Sequence, residues 1–535
     1  MANCIILNGG SENPNDRRVI QKTLGAYRIA SCLEDEGYTT RVIDHLNEFT
    51  IEELIEAITP HLTEDTLWVG VSSTFVYQQN KRTDIVNVRG GEYGLEMMYF
   101  HTYEDMLKLF ALVAELSPQA KIVYGGARSP FFTMDPRVDY YVFGYADLAI
   151  VDLTNFLSGR KDRIEHLKTE MTYGTVVAQV LDSADYPDPQ MDNISTHWWR
   201  DDLGVLPGES LPIELARGCI FRCKFCNFHL IGKKKGTYIR DMGEIRDELI
   251  RMYEVNNTTN YWFTDDTFND DMDKVEAFHR LFTSLPFKPQ FSTYLRLDLI
   301  NKFPDQATLL REMGMIGCFF GIETLNHKSG QAIGKGLHPN KTKDCLYRLE
   351  EQWRGQINME TNFILGLPYD THEYFYDLIK WCTEPDNPVQ SIGFAPLSMY
   401  YYHKSKPEWD RYSSDISINP EVYGYTVREG TTTNWTLPSQ GLTYNTCLKI
   451  AGDYTRMTTP RNKISGFAMP TMLTLGVPHE DLINLTVEQV QQKHNFSQLA
   501  ANKIRQYKQI MGVKNDMTID TIVNRLPPSM RPSSV

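Results

Sequence analysis

The sequence predicts an α/β protein in which two parallel-sheet units follow one another and a mainly helical region completes the chain. Short apolar runs typical of strands alternate with amphipathic helical segments over residues 1–155, and the same alternation returns over residues 209–395. It is lost over residues 396–535. Residues 156–208, which contain three prolines, are predicted to connect the two units.

The first unit is predicted to be a flavodoxin-like (Rossmann-like) parallel sheet with helices on both faces. Its strands are predicted at residues 4–7, 40–44, 68–72, 122–126 and 140–144, and its helices at 18–37 and 103–116. Ligands of such sheets bind beyond the carboxyl ends of the strands. The candidate ligand-binding residues at those ends are Ser72, Thr74, Gly125 and Gly126.

The second unit is predicted to be a full or partial (β/α) barrel of the TIM type. Its strands are predicted at residues 212–216, 261–264, 290–294, 317–321 and 362–365. Polar side chains follow several of these strands, and barrels of this type place their active sites at that end. The candidate residues there are Asp265, Asp266, Arg296 and Glu323.

Three cysteines stand in the loop after the first strand of the second unit, at the spacing C-x3-C-x2-C: Cys219, Cys223 and Cys226. Thiolates hold iron–sulfur clusters, and three thiolates can hold three irons of a cubane and leave the fourth open to a substrate or cofactor. A structural zinc site needs four ligands. His229 is the only near candidate for a fourth ligand, so the spacing favours the cluster.

The composition and the net charge limit the classes of function that the protein can have. The chain has 535 residues, of which 41% are hydrophobic and 23% charged, an ordinary globular balance. No run of eighteen apolar residues predicts a membrane span, and the N-terminus lacks the basic region of a signal peptide, so a cytoplasmic location is expected. The net charge of −14 argues against a nucleic-acid partner. The lysines at 233–235 are either a solvated loop or a docking point for an acidic electron donor or a phosphate-bearing substrate.

The central region resembles the radical S-adenosylmethionine (SAM) enzymes well beyond the cysteines. The matching stretches follow the family's order and approximate spacing: RGC at 217–219, FTDD at 263–266, LRLD at 295–298, FGIET at 320–324 and ILGLP at 364–368. The resemblance implies a [4Fe-4S] cluster on the three cysteines. It further implies that the open iron binds SAM, and that one electron from the cluster splits SAM into methionine and a 5′-deoxyadenosyl radical.

The same resemblance assigns expected roles to other residues. Phe225 and the backbone from Ile364 to Gly366 would contact the adenine of SAM. Asp265 and Asp266 would contact its ribose or amino group, or else cap a helix. Arg296 would bind its carboxylate, because a guanidinium matches a carboxylate bidentately, or else form an ordinary salt bridge. Glu323 follows a nearly apolar strand and needs a partner, either SAM or a cation. Cys447 is a speculative hydrogen donor to a product radical, with core packing as the alternative.

The first unit is similar to the cobalamin-binding domain that precedes such cores. The matching stretches are residues 25–37, 69–72, 123–126 and 138–144. Two features depart from that pattern. The D-x-H-x-x-G motif of corrinoid domains is absent, because Asp44 and His45 are adjacent, and residues 144–147 read GYAD where relatives carry GEGE. The resemblance implies cobalamin as a further cofactor.

These expectations lead to one function and two alternatives. The leading interpretation is cobalamin-dependent methyl transfer to an unactivated carbon of a small molecule or peptide, with a flavodoxin- or ferredoxin-type electron donor. The first alternative is a corrin-independent radical SAM isomerase, epimerase, dehydrogenase or cyclase. The second is an iron–sulfur sensor without turnover. The C-terminal region, 396–535, is expected to cover the substrate and to end in a disordered tail.

Overall fold

The structure is a computed structural model that describes residues 3–9, 21–72, 103–126, 137–172, 176–187, 195–200, 203–228, 231–399, 413–427 and 435–514. Three sites of the sequence analysis lie outside these residues, namely Thr74, His229 and the tail after residue 514. Within the described residues, no helix is long and apolar enough to span a bilayer.

Seven strands form the first sheet: β1 (Cys4–Leu7), β2 (Thr40–Ile43), β3 (Trp68–Ser72), β4 (Lys121–Gly126), β5 (Tyr140–Phe143), β6 (Lys168–Thr172) and β7 (Val176–Asp182). Their spatial order is β2-β1-β3-β4-β5-β7-β6. All neighbours are parallel except β6, which runs antiparallel to β7. The first five positions have the flavodoxin-like order, which confirms the predicted fold of this unit.

Among the described residues of this unit, four helices cover the sheet: α1 (Leu24–Asp35), α2 (Ile51–Ile58), α3 (Tyr103–Leu116) and α4 (Asp147–Leu157). Successive side chains of β1 belong to different hydrophobic cores, Cys4 and Ile6 to one and Ile5 and Leu7 to the other. Because successive side chains point to opposite faces, both faces of the sheet are covered. The apolar character of the strand follows from this burial.

Residues 168–182 differ from the sequence expectation. They fall in the predicted connector, yet β6 and β7 extend the first sheet from β5. β6 reads KTEMT, in which polar residues outnumber apolar ones. Such a strand lies at the edge of a sheet and carries a weak apolar signal. The boundaries of the four predicted regions otherwise stay a prediction.

Six parallel strands form the second sheet: β8 (Leu211–Ile213), β9 (Asn260–Phe263), β10 (Gln290–Leu295), β11 (Met315–Glu323), β12 (Asn358–Leu365) and β13 (Ser391–Pro396). Each strand pairs with the next one along the chain. Among the described residues no pairing joins β8 to β13, so the barrel is open, as the predicted partial barrel requires. The helices of this unit are α5 (Met242–Asn256), α6 (Met272–Thr283), α7 (Leu297–Lys302), α8 (Gln306–Glu312), α9 (His327–Ile333), α10 (Pro339–Trp353) and α11 (His372–Cys382).

The C-terminal region is mainly helical, with a small antiparallel sheet of β14 (Thr426–Val427), β15 (Trp435–Leu437) and β16 (Leu442–Thr443). Its helices are α12 (Asp415–Ile418), α13 (Tyr444–Thr458), α14 (Met469–Thr474), α15 (His479–Asn484), α16 (Val487–His494) and α17 (Phe496–Ile510). Helix α17 is the last of these helices. It packs against the first unit, where the Tyr507 hydroxyl accepts a hydrogen bond from the Asp44 amide at 2.7 Å.

Candidate functional site

The three cysteines lie in a loop that begins just after β8. Gly218, immediately before the first cysteine, has a φ of 105°, a conformation that glycine adopts without steric cost. Cys219 is buried, while Cys223 and Cys226 are partly exposed. The Cys226 amide donates to the Cys223 carbonyl at 3.1 Å, which forms a tight turn that places both thiols in one short segment.

Three other parts of the chain hold this cluster loop in place. The Lys224 amide donates to the carbonyl of Ile333, at the end of α9, at 3.0 Å. The Lys224 carbonyl accepts from the amide of Ile416, in α12, at 3.0 Å. The Lys233 amide donates to the Cys219 carbonyl, also at 3.0 Å. The loop is therefore fixed by backbone contacts from both the barrel and the C-terminal region.

The surroundings of the loop disfavour free thiolates. Burial raises the pKa of the Cys219 thiol, and it raises that of Cys226 to about 12. Thiols with such pKa values stay protonated without a metal, whereas a coordinated thiol is deprotonated. Nη1 of Arg296 lies 3.3 Å from the Cys223 sulfur and would balance negative charge on a thiolate.

A single metal ion does not fit these residues. Within the described ranges, no three His, Cys, Asp or Glu side chains converge closely enough to hold one ion. A cubane instead places each thiolate on a different iron, which keeps the sulfurs farther apart than around one zinc ion. The C-x3-C-x2-C spacing of the cysteines therefore agrees with an iron–sulfur cluster.

Arg296 and Glu323 lie on the same side of the barrel as the cysteines. The Arg296 guanidinium stacks 3.8 Å from the Phe221 ring centroid and donates to both carboxylate oxygens of Asp298, at 3.0 and 2.8 Å. Glu323 has a φ of 67°, which is rare outside glycine and occurs often at functional sites. Burial raises its pKa, which Lys335, 3.7 Å away, and Arg296 partly offset.

Lys335 was not found by the sequence analysis. Its ammonium donates to the Gly321 carbonyl at 2.7 Å and pairs with Glu323. Lys335 is therefore the cation that pairs with Glu323 when SAM is not bound. It lies in a Gly-Lys-Gly run after α9, and no sequence motif marks it.

The two aspartates after β9 have different surroundings. One oxygen of Asp265 accepts from the amides of Leu215 and Ala216, at 2.9 and 3.1 Å, and the other lies 3.2 Å from the ammonium of Lys274. These contacts anchor the segment between β8 and the cluster loop. The contact to SAM expected for Asp265 stays a prediction. Asp266 is partly exposed, and its charge acts on Cys219 and Cys226.

The turn after β12 is built around a buried carboxylate. Oδ2 of Asp370 accepts from the amides of Gly366 and Leu367, at 3.1 and 3.0 Å, and Oδ1 accepts from the Ser329 hydroxyl at 2.9 Å. Burial raises the pKa of Asp370 to about 7. Ser329 belongs to α9, so this carboxylate ties the expected adenine-binding turn to the helix that contacts the cluster loop.

Cys447 packs against this turn. It is fully buried, and its sulfur would lie 3.0 Å from a Cβ added at Gly366. Ile364 is partly exposed on the strand before the turn. Phe225 is partly buried against the main core. The placement of Cys447 favours core packing over hydrogen donation.

Of the residues expected at the first sheet, three are described. Ser72 pairs with Gly125 across β3 and β4, and Gly126 pairs with Phe143 of β5, so all three lie together at the carboxyl edge. A Cβ on Gly125 would lie 2.2 Å from the Val142 carbonyl oxygen. Close strand packing alone therefore explains this glycine.

Comparisons with known proteins agree with this geometry. Residues 213–382 match the model of the radical SAM superfamily. The anaerobic magnesium-protoporphyrin IX monomethyl ester cyclase of Cereibacter sphaeroides is 22% identical over 55% of this chain. That match spans only 50% of the cyclase's own length. The cytidylyl-2-hydroxyethylphosphonate methyltransferase of Streptomyces wedmorensis is 21% identical over 64% of this chain and 69% of that protein.

The overall architecture is also found in a solved structure. The radical SAM methyltransferase TsrM from Kitasatospora setae, solved with tryptophan and a SAM analogue, superposes with a TM-score of 0.54 at 17% identity. The superposition covers 90% of this chain and 89% of that one. Residues 213–382 therefore match a radical SAM domain, and the chain shares the fold of the radical SAM methyltransferase TsrM. These matches confirm the predicted resemblance, and a radical SAM domain implies a [4Fe-4S] cluster and SAM as cofactors.

Proposed function

We propose that this protein is a cobalamin-dependent methyltransferase that modifies an unactivated carbon of a small molecule or peptide. The observation that carries the proposal is the meeting of the two sheets. Asp147, beyond the carboxyl end of β5, accepts a hydrogen bond at 2.8 Å from Arg217, beyond the carboxyl end of β8. Both kinds of sheet bind ligands at these ends. A group held by the first sheet would therefore lie close to one held by the cluster loop.

The chain's own side chains would bind and orient SAM beside the cysteines. Arg296 lies against the Cys223 sulfur and can receive the SAM carboxylate. Glu323 can accept a hydrogen bond from the SAM amino group. Its ion pair with Lys335, at 3.7 Å, is longer than a hydrogen bond and leaves this carboxylate available. The turn at Gly366 offers backbone groups to the adenine. When bound, the cluster supplies an electron for SAM cleavage and a corrin carries the methyl group.

The relatives support methyl transfer as the outcome. TsrM and the Streptomyces protein are both methyltransferases by name, and TsrM matches this chain over nearly its whole length. The solved structure of TsrM from Kitasatospora setae with cobalamin and a [4Fe-4S] cluster bound covers 96% of this chain at a TM-score of 0.52. These likenesses support the same pair of cofactors here.

Product analysis tests the proposal. Anaerobically reconstituted protein is incubated with SAM and dithionite, with and without hydroxocobalamin, and 5′-deoxyadenosine and S-adenosylhomocysteine are quantified by mass spectrometry. We expect both products, with S-adenosylhomocysteine dependent on the corrin. 5′-Deoxyadenosine alone, unaffected by corrin, would contradict methyl transfer and favour a corrin-independent radical reaction. The absence of both products would favour an iron–sulfur sensor.

We further propose that an acidic flavodoxin of the cytoplasm reduces the cluster. Exposed cations surround the cluster loop of this otherwise acidic chain, namely Arg222, Lys224 and Lys234. The loop and the lysine run are joined, because the Gly232 amide donates to the Phe221 carbonyl at 3.0 Å. Lys224 is partly neutralised by Asp415 at 3.1 Å. Opposite charges on two partners speed their encounter, most strongly at low salt.

Reversing one of these charges should slow reduction by protein but not by a small reductant. We expect Lys234→Glu to lower the initial rate of cluster reduction by reduced flavodoxin at least threefold at low ionic strength, with the rate under dithionite unchanged. The matched control is Lys288→Glu, an exposed lysine that precedes β10 at the opposite end of the barrel. Equal slowing in both variants would contradict docking at the cluster loop. Stopped-flow absorbance gives the rates.

A further inference from the structure

A buried network of charged side chains joins the first unit to the strand that leads into the cluster loop. Asp147, the first residue of α4, accepts from Nε of Arg28 and from Nη1 of Arg217, both at 2.8 Å. Nη2 of Arg217 donates to Asp147 at 3.3 Å and to Glu214 at 2.8 Å. These four side chains are only 4–7% exposed. The carboxylate of Asp147 is therefore shared between a guanidinium of each unit.

A second buried pair continues the network. Arg240 donates to Glu248 at 2.7 Å, to the Glu214 carbonyl at 2.8 Å and to the Ser195 hydroxyl at 3.0 Å. The Ser195 carbonyl in turn accepts from Arg28 at 2.7 Å. With the first four side chains, the network contains three guanidiniums and three carboxylates, so its charges balance. Buried charges are tolerated only when paired and hydrogen-bonded in this way.

Asp147 is held ionised at the centre of this network. Burial alone would raise its pKa, but Arg217 and Arg28 outweigh burial and hold the pKa well below its usual range. Its position at the N-terminus of α4 adds a favourable helix dipole. The guanidinium of Arg217 also lies 4.6 Å from the ring centroid of Tyr145. The first unit therefore contacts Arg217 through both the carboxylate of Asp147 and the ring of Tyr145.

The contact between Asp147 and Arg217 lies close to the candidate cluster-binding cysteines. Arg217 precedes Cys219 by two residues, and its amide donates to the Tyr238 carbonyl at 2.8 Å. Asp147 itself is separated from β5 by three residues, at the carboxyl edge of the first sheet. Any shift of the first sheet relative to the barrel would pull on the strand before Cys219. The contact thus sets the distance between the two ligand-binding edges.

We infer that Asp147 is a positioning residue that anchors the cluster loop to the carboxyl edge of the first sheet. On the proposed function, on which this consequence rests, the anchor keeps methyl transfer coupled to SAM cleavage. In the sequence, residues 144–147 depart from the pattern of cobalamin-binding domains. The structure instead gives the acid at the last of these positions a defined contact with the radical SAM domain.

The test compares Asp147→Asn with a matched control. Asp152→Asn alters a second buried carboxylate of α4, which contacts Lys161 at 2.7 Å and Tyr186 at 2.9 Å, all within residues 147–187. Asp147→Glu keeps the charge and should restore most of the lost function. Reconstituted holoprotein is used throughout, and iron content is measured first.

Two measurements separate positioning from general stability. In Asp147→Asn we expect a fall of at least tenfold in the ratio of S-adenosylhomocysteine to 5′-deoxyadenosine, with 5′-deoxyadenosine itself changed less than threefold. We also expect faster amide hydrogen exchange in residues 214–219. Asp152→Asn should change neither the ratio nor this exchange.

The outcomes distinguish this inference from the proposed function. An unchanged product ratio in Asp147→Asn, or an equal fall of both products, would overturn the coupling role. If the parent protein makes no S-adenosylhomocysteine, the proposed function fails first, and hydrogen exchange still decides the anchoring role. Exchange at 214–219 that is unaltered in Asp147→Asn would overturn that role too.

Discussion

A variant with Cys219, Cys223 and Cys226 all replaced by alanine is expected to bind no iron–sulfur cluster after anaerobic reconstitution. Thiolates are the cluster's protein ligands, and these three cysteines stand together in the loop at cluster-binding spacing. The brown colour, the broad visible absorbance and the iron content should all be lost. Formation of 5′-deoxyadenosine from SAM should fall to background.

The matched control for this variant replaces three cysteines that the structure places in the core: Cys318, Cys345 and Cys382. Each loses only one buried sulfur atom, so the control should bind the cluster while unfolding at a lower temperature. Retention of a redox-active cubane by the loop variant would contradict the central assignment. Loss of the cluster in both variants would mean that misfolding, and not ligation, explains the result.

The fold was largely predictable because its strands are short apolar runs. The strands of the first sheet from β1 to β5 and most of the barrel follow from alternation, since both faces of each sheet are covered. β6 was not predicted because it is an edge strand with few apolar residues. β7 lies between β5 and β6 and reads VVAQVLD, so its apolar run was available in the sequence and was missed. β13 was also not predicted, because Ser391–Pro396 contains a glycine and a proline that indicate a turn.

Site residues could be predicted from the sequence only where the metal-ligating residues lie close together in the chain. The three cysteines stand within eight residues, so their spacing alone indicates their chemistry. Asp265 shows the limit of this reasoning. It follows a strand as a ligand-binding residue would, but its partners, the amides of Leu215 and Ala216, are about fifty positions away in the chain. Asp147 and Lys335 also depend on such distant contacts, which no sequence pattern reveals.

The turn after β12 has little room for any side chain at Gly366. This residue has a φ of 87°, and a Cβ there would lie 2.2 Å from the ring of Trp435. The indole is fixed in place by a hydrogen bond from its Nε1 to the Leu397 carbonyl at 2.8 Å. The Gly366 carbonyl accepts from the Tyr425 hydroxyl at 2.6 Å. Neither the backbone nor the indole can move away without breaking a buried hydrogen bond.

Gly366→Ala should therefore destabilise the protein strongly. The left-handed conformation costs a non-glycine residue about 1–2 kcal/mol. Overpacking a rigid core adds about 1–3 kcal/mol. The affinity for SAM should also fall, because the same turn is proposed to contact the adenine.

Gly355→Ala separates these two effects, because Gly355 has a φ of 73° but nothing within 4 Å of an added Cβ. We expect it to show the conformational cost alone, with SAM binding unchanged. Thermal unfolding and equilibrium binding of SAM, measured anaerobically on both variants, provide the comparison. Equal losses of stability would show that Trp435 yields to the added methyl group. Unchanged SAM affinity in a destabilised Gly366→Ala would remove this turn from the proposed binding site, since a methyl group there must displace the backbone that the adenine would contact.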